Sequence, residues 1–67
     1  NPTADFIYFD NYEDLSELKI SVFDLSGKLI YKQTSLNYIN ISKFPVGHYI
    51  LRIEDKNQIK SEIIIKK

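Results

Sequence analysis

The amino-acid sequence predicts an all-β fold, on the basis of its composition and its patterning. Ile, Val, Thr, Tyr and Phe supply 24 of the 67 residues, whereas the chain has one Ala and no Met. That composition favours strands over helices. Six short segments rich in these residues follow one another closely, most of them with apolar and polar side chains in alternation, as in half-buried strands.

The six predicted strands cover, in chain order, residues 6–9, 18–24, 28–32, 38–41, 47–54 and 59–66. Only residues 11–18 offer a helical alternative, because acidic side chains suit a first helical turn, but the apolar spacing there is too sparse. We therefore expect a loop or a strand edge in that segment. A seventh strand is expected within residues 11–18 or 33–37.

Alternation predicts which side chains face the core. The second strand places Leu18, Ile20 and Val22 on one side, and the fifth does the same with Tyr49, Leu51 and Ile53. In the last strand the pattern puts Ile59, Ile63 and Ile65 opposite Lys60, Glu62 and Lys66. Ile50 and Ile64 then stand as apolar exceptions on the outward face, either covered by a neighbouring strand or forming a small exposed patch.

Turn residues separate these strands. Asp24-Leu25-Ser26-Gly27 predicts a tight hairpin, since Gly27 can take a positive φ at little cost. Asp55-Lys56-Asn57 predicts a second hairpin. Pro45 precedes the fifth strand and Gly47 begins it, where Gly47 is expected to allow close backbone approach and Tyr49 to pack in the core.

Size and charge limit the classes of function. Nine basic and nine acidic residues give a net charge of zero, which argues against nucleic acid or anionic lipid as a partner. Short apolar runs such as residues 63–65 are far below the roughly 20 residues that cross a bilayer. There is no Cys, hence no disulfide or thiolate metal site, and no cofactor is expected.

Candidate catalytic and metal-binding groups are few. His48 is the one His, so a catalytic triad or a zinc site lacks the partners it needs, and we assign His48 no role. Asp10, Glu13, Asp14 and Glu17 lack the spacing of a dedicated calcium loop and are better explained as a solvated acidic loop. A domain of this size also offers little room for a cleft that buries a substrate. We expect no enzymatic activity.

Two further features have ordinary explanations. The five tyrosines are a candidate sugar-stacking set, although Tyr is also common strand filler. Asn40-Ile41-Ser42 matches the glycosylation sequon, a pattern that arises often by chance. The tyrosines in question are Tyr8, Tyr12, Tyr31, Tyr38 and Tyr49.

Four motifs follow one another in a fixed order. Residues 1–5 resemble an opening NPTxD, residues 20–30 a hairpin xxxYDxxGKxV, residues 39–42 an IDxS step, and residues 44–51 a strand LPxGxYxL. In this order the motifs resemble the type A C-terminal sorting domain of type IX secretion system cargo proteins from the Bacteroidetes. Residues 63–67 are similar to its closing apolar strand with a basic tail. Phe23, Ser26 and Phe44 are conservative departures from Tyr, Asn and Leu.

The resemblance implies an immunoglobulin-like antiparallel β-sandwich of about seven short strands, acting as a non-catalytic label that directs an upstream passenger through the outer membrane. The expected partners are the type IX translocon, its shuttle and sortase components, and the passenger. The expected route is the periplasm, then the outer-membrane surface or the medium, with removal by a surface sortase. Residues 1–67 are expected to be one domain excised from a larger secreted protein.

Within that resemblance, the closing strand is the expected recognition element for translocon or sortase. Its residues are Ile63, Ile64, Ile65, Lys66 and Lys67. The other motif positions are expected to be structural: Asn1, Pro2, Asp24, Gly27, Pro45, Gly47 and Tyr49. The alternatives from other classes are a small carbohydrate-binding or adhesion module, and a spacer that helps a neighbouring domain to fold.

Overall fold

The computed structural model describes residues 2, 3, 5–9, 15–56 and 58–67, and these residues form strands joined by short turns. The six predicted strands are present, and the all-β prediction is confirmed. The strands are β1 (Pro2–Thr3), β2 (Phe6–Tyr8), β3 (Lys19–Phe23), β4 (Leu29–Thr34), β5 (Tyr38–Asn40), β6 (Gly47–Glu54) and β7 (Ile59–Lys66).

Two sheets make a sandwich-like arrangement. The larger has five strands in the order β1-β7-β6-β3-β4, and the smaller pairs β2 with β5. Neighbouring strands are antiparallel except β1 and β7, which run parallel over two residue pairs. A side-chain link also connects the sheets, because Gln33 Nε2 on β4 donates to the backbone C=O of Tyr38 on β5.

The apolar core lies between the sheets. The large sheet contributes the predicted inward residues of β3 and β6, and the small sheet contributes Ile39, which is completely buried. Ile41 and Phe9 follow the short strands and close the core from that side. The predicted core positions that are buried are Leu18, Ile20, Val22, Tyr49, Leu51 and Ile53.

The prediction of which β7 side chains face the core is wrong. Ile64 is 2% exposed and lies opposite Tyr49, whereas Ile63 is 59% exposed and lies opposite Ile50. Ile59 is exposed as well, and Lys66 is on the core side. The hairpin turn fixes the register of β7 against β6, and a shift of one residue exchanges the two faces of a strand. A run of three isoleucines satisfies either register, so the sequence pattern did not distinguish them.

The seventh strand is β1, at residues 2 and 3, where the sequence did not suggest one. Residues 33 and 34 extend β4. Within residues 11–18, Leu15–Glu17 form a 3₁₀ helix, contrary to the expected loop or strand edge, and residues 11–14 lie outside the described residues. Within the part of the chain that is described, no helix is long and apolar enough to cross a membrane.

Candidate recognition surface

The last five residues divide between the two faces of the large sheet. Ile63 is exposed, Ile65 is half-buried and Lys67 is exposed. Ile64 is buried in the core, and Lys66 is 9% exposed with Nζ donating to the backbone C=O of Lys67 at 3.2 Å. Of the five, therefore, Ile63, Ile65 and Lys67 are accessible to a partner, while Ile64 and Lys66 are buried on the core side.

An apolar row crosses the outward face of the large sheet next to this strand end. Phe23 of β3 lies opposite Ile50 of β6, which lies opposite Ile63 of β7. On the other side, Phe23 pairs with Leu29 of β4. Ile63 and Leu29 are exposed, and Phe23 and Ile50 are half-buried. The sequence indicated only Ile50 of this row, because the row depends on the register of four strands.

The Asp24–Gly27 hairpin is built as predicted. Oδ1 of Asp24 accepts hydrogen bonds from Ser26 Oγ at 2.6 Å, Ser26 N–H at 2.9 Å and Lys28 N–H at 3.0 Å. Gly27 has φ 91° and donates to the Asp24 carbonyl. The bond from Ser26 Oγ, then that from the Lys28 backbone, lowers the pKa of Asp24 below its ordinary value. This constellation holds the turn between β3 and β4.

The start of β6 is bonded and packed against the segment that precedes it. Tyr49 is 7% exposed, and its hydroxyl donates to the carbonyl of Pro45, four residues earlier. The same geometry occurs in the tyrosine corner of sandwich folds. Phe44 packs edge-on against the Tyr49 ring with centroids 5.4 Å apart. Gly47 has φ 154°, yet a Cβ there would meet nothing within 4 Å, so its expected role in close backbone approach is wrong and its backbone conformation is what favours glycine.

The opening motif pairs with the closing strand through its backbone. Pro2 lies opposite Ile65 and Thr3 opposite Lys66, so the motif joins the edge of the closing strand. Asn1 lies outside the described residues. The first and last motifs of the sequence therefore meet in one place, which sequence spacing alone did not indicate.

An exposed aromatic cluster lies on the small sheet. Phe6, Tyr8 and Tyr38 are 46%, 66% and 38% exposed, and their ring centroids are 6.0 to 6.4 Å apart. Their planes are tilted against one another by 33° to 56°, so the rings do not form one flat platform. Of the other tyrosines, Tyr31 packs against Phe44, and Tyr12 lies outside the described residues.

The other polar candidates do not converge on a site. His48 is exposed opposite Ile65, and Glu17 is exposed in the 3₁₀ helix. Asp10, Glu13 and Asp14 lie outside the described residues. No group of three or more His, Cys, Asp and Glu that could hold a metal ion occurs among the residues described. Asn40 of the sequon accepts a hydrogen bond from Ser42 N–H at 2.9 Å through Oδ1, which holds the turn after β5.

Comparison with known families adds the remaining observation. A family model described as the secretion system C-terminal sorting domain matches residues 1–67, the whole chain. Comparisons with curated proteins and with solved structures gave no significant match. The match covers all the motifs whose structural roles are described above. The chain therefore belongs to the family of type IX secretion C-terminal sorting domains, whose members direct proteins to the cell surface or out of the cell.

Proposed function

We propose that this domain is a non-catalytic label, carried behind a passenger, that is read in the periplasm by the type IX translocon and its shuttle components. The family match over the full chain carries the proposal. Removal by a surface sortase, at a site upstream of the domain, is part of it. After removal, the passenger remains on the outer-membrane surface or enters the medium.

Recognition is proposed to involve the outward side of the closing strand. A partner that binds the folded domain contacts Ile63, Ile65 and Lys67, because these side chains are accessible. Ile50 and Phe23 extend the apolar contact area across the sheet. Ile64 and Lys66 act indirectly, by holding the strand against the core.

The test is a fusion of residues 1–67 to the C-terminus of a fluorescent protein that is directed to the periplasm. The fusion is followed in a type IX-competent bacterium and in its secretion-deficient derivative. We expect fluorescence on the surface or in the medium of the competent strain alone. Mass spectrometry of the released passenger is expected to show that the domain has been removed. An intact, folded fusion that stays periplasmic in both strains would refute the proposal.

The exposed aromatic cluster favours a second candidate, a small carbohydrate-binding or adhesion module. Three neighbouring exposed rings are a common basis for sugar stacking, although the tilt between the planes limits the contact with one flat ligand. A glycan array distinguishes the candidates. Binding that Tyr8→Ala abolishes would support the module, and an array without hits would exclude it for the glycans tested.

A further inference from the structure

Strand β7 has an open edge along most of its length. On one side it pairs with β6 over all eight of its residues. On the other side, as far as the described residues extend, it pairs only with β1, at Ile65 and Lys66. The stretch Ile59 to Ile64 is therefore an edge strand, and the unpaired N–H and C=O groups of such a strand are a template for a further strand.

The β6–β7 turn determines which backbone groups point to the open edge. Asp55 N–H donates to the Gln58 carbonyl at 3.0 Å, so these residues form a hydrogen-bonded pair. Hydrogen-bonded and non-hydrogen-bonded pairs alternate along an antiparallel ladder. It follows that Lys60, Glu62 and Ile64 direct their backbone groups towards β6. Their neighbours Ile59, Ser61 and Ile63 direct theirs outward.

The side chains along this edge are self-complementary. Consider a second copy of β7 that pairs antiparallel with the first, related to it by a two-fold axis between the two Ser61 residues. Ile59 of each copy then faces Ile63 of the other, and Lys60 of each copy faces Glu62 of the other. Ile59 and Ile63 are 56% and 59% exposed, so their pairing removes apolar surface from water. On the other face of the strand, opposite charges meet across the new ladder.

Other registers that the backbone allows lack this complementarity. Moving the axis by one residue sets Lys60 against Lys60 or Glu62 against Glu62, and like charges directly opposite are destabilising. An axis at Ile63 would require Ile65 to pair with the second copy, but the outward side of Ile65 is already paired with β1. Moving the axis to Ile59 places the β6–β7 turn in the interface. The pattern of charges thus selects one axis.

We propose that Ile59–Ile63 form a homodimerisation edge, at which two copies of the chain pair antiparallel about Ser61 and join their large sheets into one. Lysine on an edge often prevents such pairing. Here Glu62 of the second copy lies opposite Lys60 and neutralises its charge. The edge therefore favours pairing with a second copy of β7 over pairing with a strand that has no acidic residue at that position. The dimer covers Ile63, an accessible residue of the closing strand.

A charge exchange tests the dimer in the intact chain. Sedimentation equilibrium over a concentration series is expected to show a reversible dimer. Lys60→Glu or Glu62→Lys alone is expected to raise the dissociation constant on the order of tenfold, since each sets like charges opposite one another. The double variant, Lys60→Glu with Glu62→Lys, is expected to restore the original affinity. A monomer at all concentrations, or single variants that dimerise like the parent, would overturn the proposal.

Two variants of Ser61 test the axis itself. Ser61→Pro removes an outward N–H and leaves the β6 ladder intact, so the variant is expected to be folded by circular dichroism and monomeric by sedimentation equilibrium. Ser61→Cys is expected to form a disulfide across the axis on oxidation, because paired residues there lie at a distance that a disulfide spans. A dimer that exchanges strands, or one that uses another surface, would leave these cysteines reduced and would overturn the Ser61 axis. The charge variants remain informative even if Ser61→Pro does not fold.

Discussion

At the residue scale, two motif residues form hydrogen bonds that hold the local backbone. Asp24 uses one carboxylate oxygen to bind three donors of its own hairpin, and Tyr49 combines core packing with a hydrogen bond to Pro45. These bonds depend on the residue type, because they require a carboxylate oxygen at position 24 and a hydroxyl group at position 49.

The Asp24 hairpin predicts a pH dependence of stability. Its pKa is lower in the folded chain than the ordinary value of 3.8, because the charged form accepts hydrogen bonds from Ser26 and Lys28. The stabilising contribution is thus complete above the unfolded-state pKa and is lost as pH falls through the folded-state pKa. Asp24→Asn is expected to lower the midpoint of thermal unfolding at neutral pH.

The difference in midpoint between parent and Asp24→Asn is expected to shrink below about pH 4, where the unfolded carboxyl becomes protonated. Thermal unfolding followed by circular dichroism from neutral pH to about pH 2 measures it. Asp55→Asn is the control for removal of a turn carboxylate elsewhere. A difference that stays constant over the whole range would contradict the hydrogen-bond account of Asp24.

Tyr49 provides a second prediction at this scale. Tyr49→Phe retains the ring that packs against Phe44 but removes the donor to the Pro45 carbonyl. We expect a loss of about 0.5–1.5 kcal/mol in the free energy of unfolding. The matched control is Tyr31→Phe, which removes an exposed bond to Gln33 Oε1 and is expected to change stability by less than about 0.5 kcal/mol. Equal losses in urea unfolding would contradict a structural role for the Tyr49 hydroxyl.

At the element scale, strand positions were predictable and one strand's facing was not. The ends of β6 and β7 agree with the sequence prediction because apolar alternation and turn residues define both strands. The face of β7 depends on its pairing with β6, and Ile63-Ile64-Ile65 carries no alternation that would reveal it. Strand β1 was missed because two residues are too few to produce a pattern.

Because Ile64 faces the core and Ile63 faces outward, the same substitution at these two positions is expected to change the free energy of unfolding by different amounts. Ile64→Val removes one methyl group from a side chain that is 2% exposed and is expected to cost about 0.5–1.5 kcal/mol of unfolding free energy. Ile63→Val makes the same change on the open face and is expected to have an effect of less than about 0.5 kcal/mol. Chemical denaturation of the two variants measures this contrast. A larger loss for Ile63→Val would reverse the assignment of faces.

At the scale of the whole molecule, the topology brings the first and last motifs together. The parallel pairing of β1 with β7 sets the opening of the domain beside its closing residues. The order of the motifs in the sequence was sufficient to predict the family. The row formed by Phe23, Ile50 and Ile63 was not predictable, because it depends on the pairing of strands that are distant in sequence.

The most direct measurement of recognition by the closing strand compares two substitutions on one face of β7. Ile63→Ser and Ile59→Ser alter side chains with 59% and 56% exposure, one in the C-terminal half of the strand and one at its first residue. Both variants are placed in the fluorescent fusion and checked for folding before export is quantified in a type IX-competent bacterium. Both residues contribute equally to the proposed dimer, so loss of dimerisation affects the two variants alike.

We expect Ile63→Ser to reduce export severalfold, because it removes an accessible apolar contact of the closing strand, and Ile59→Ser to be exported like the parent. That result would locate recognition in the C-terminal half of β7, which contains Ile63. Equal export of both folded variants and the parent, or an equal loss in both, would contradict it.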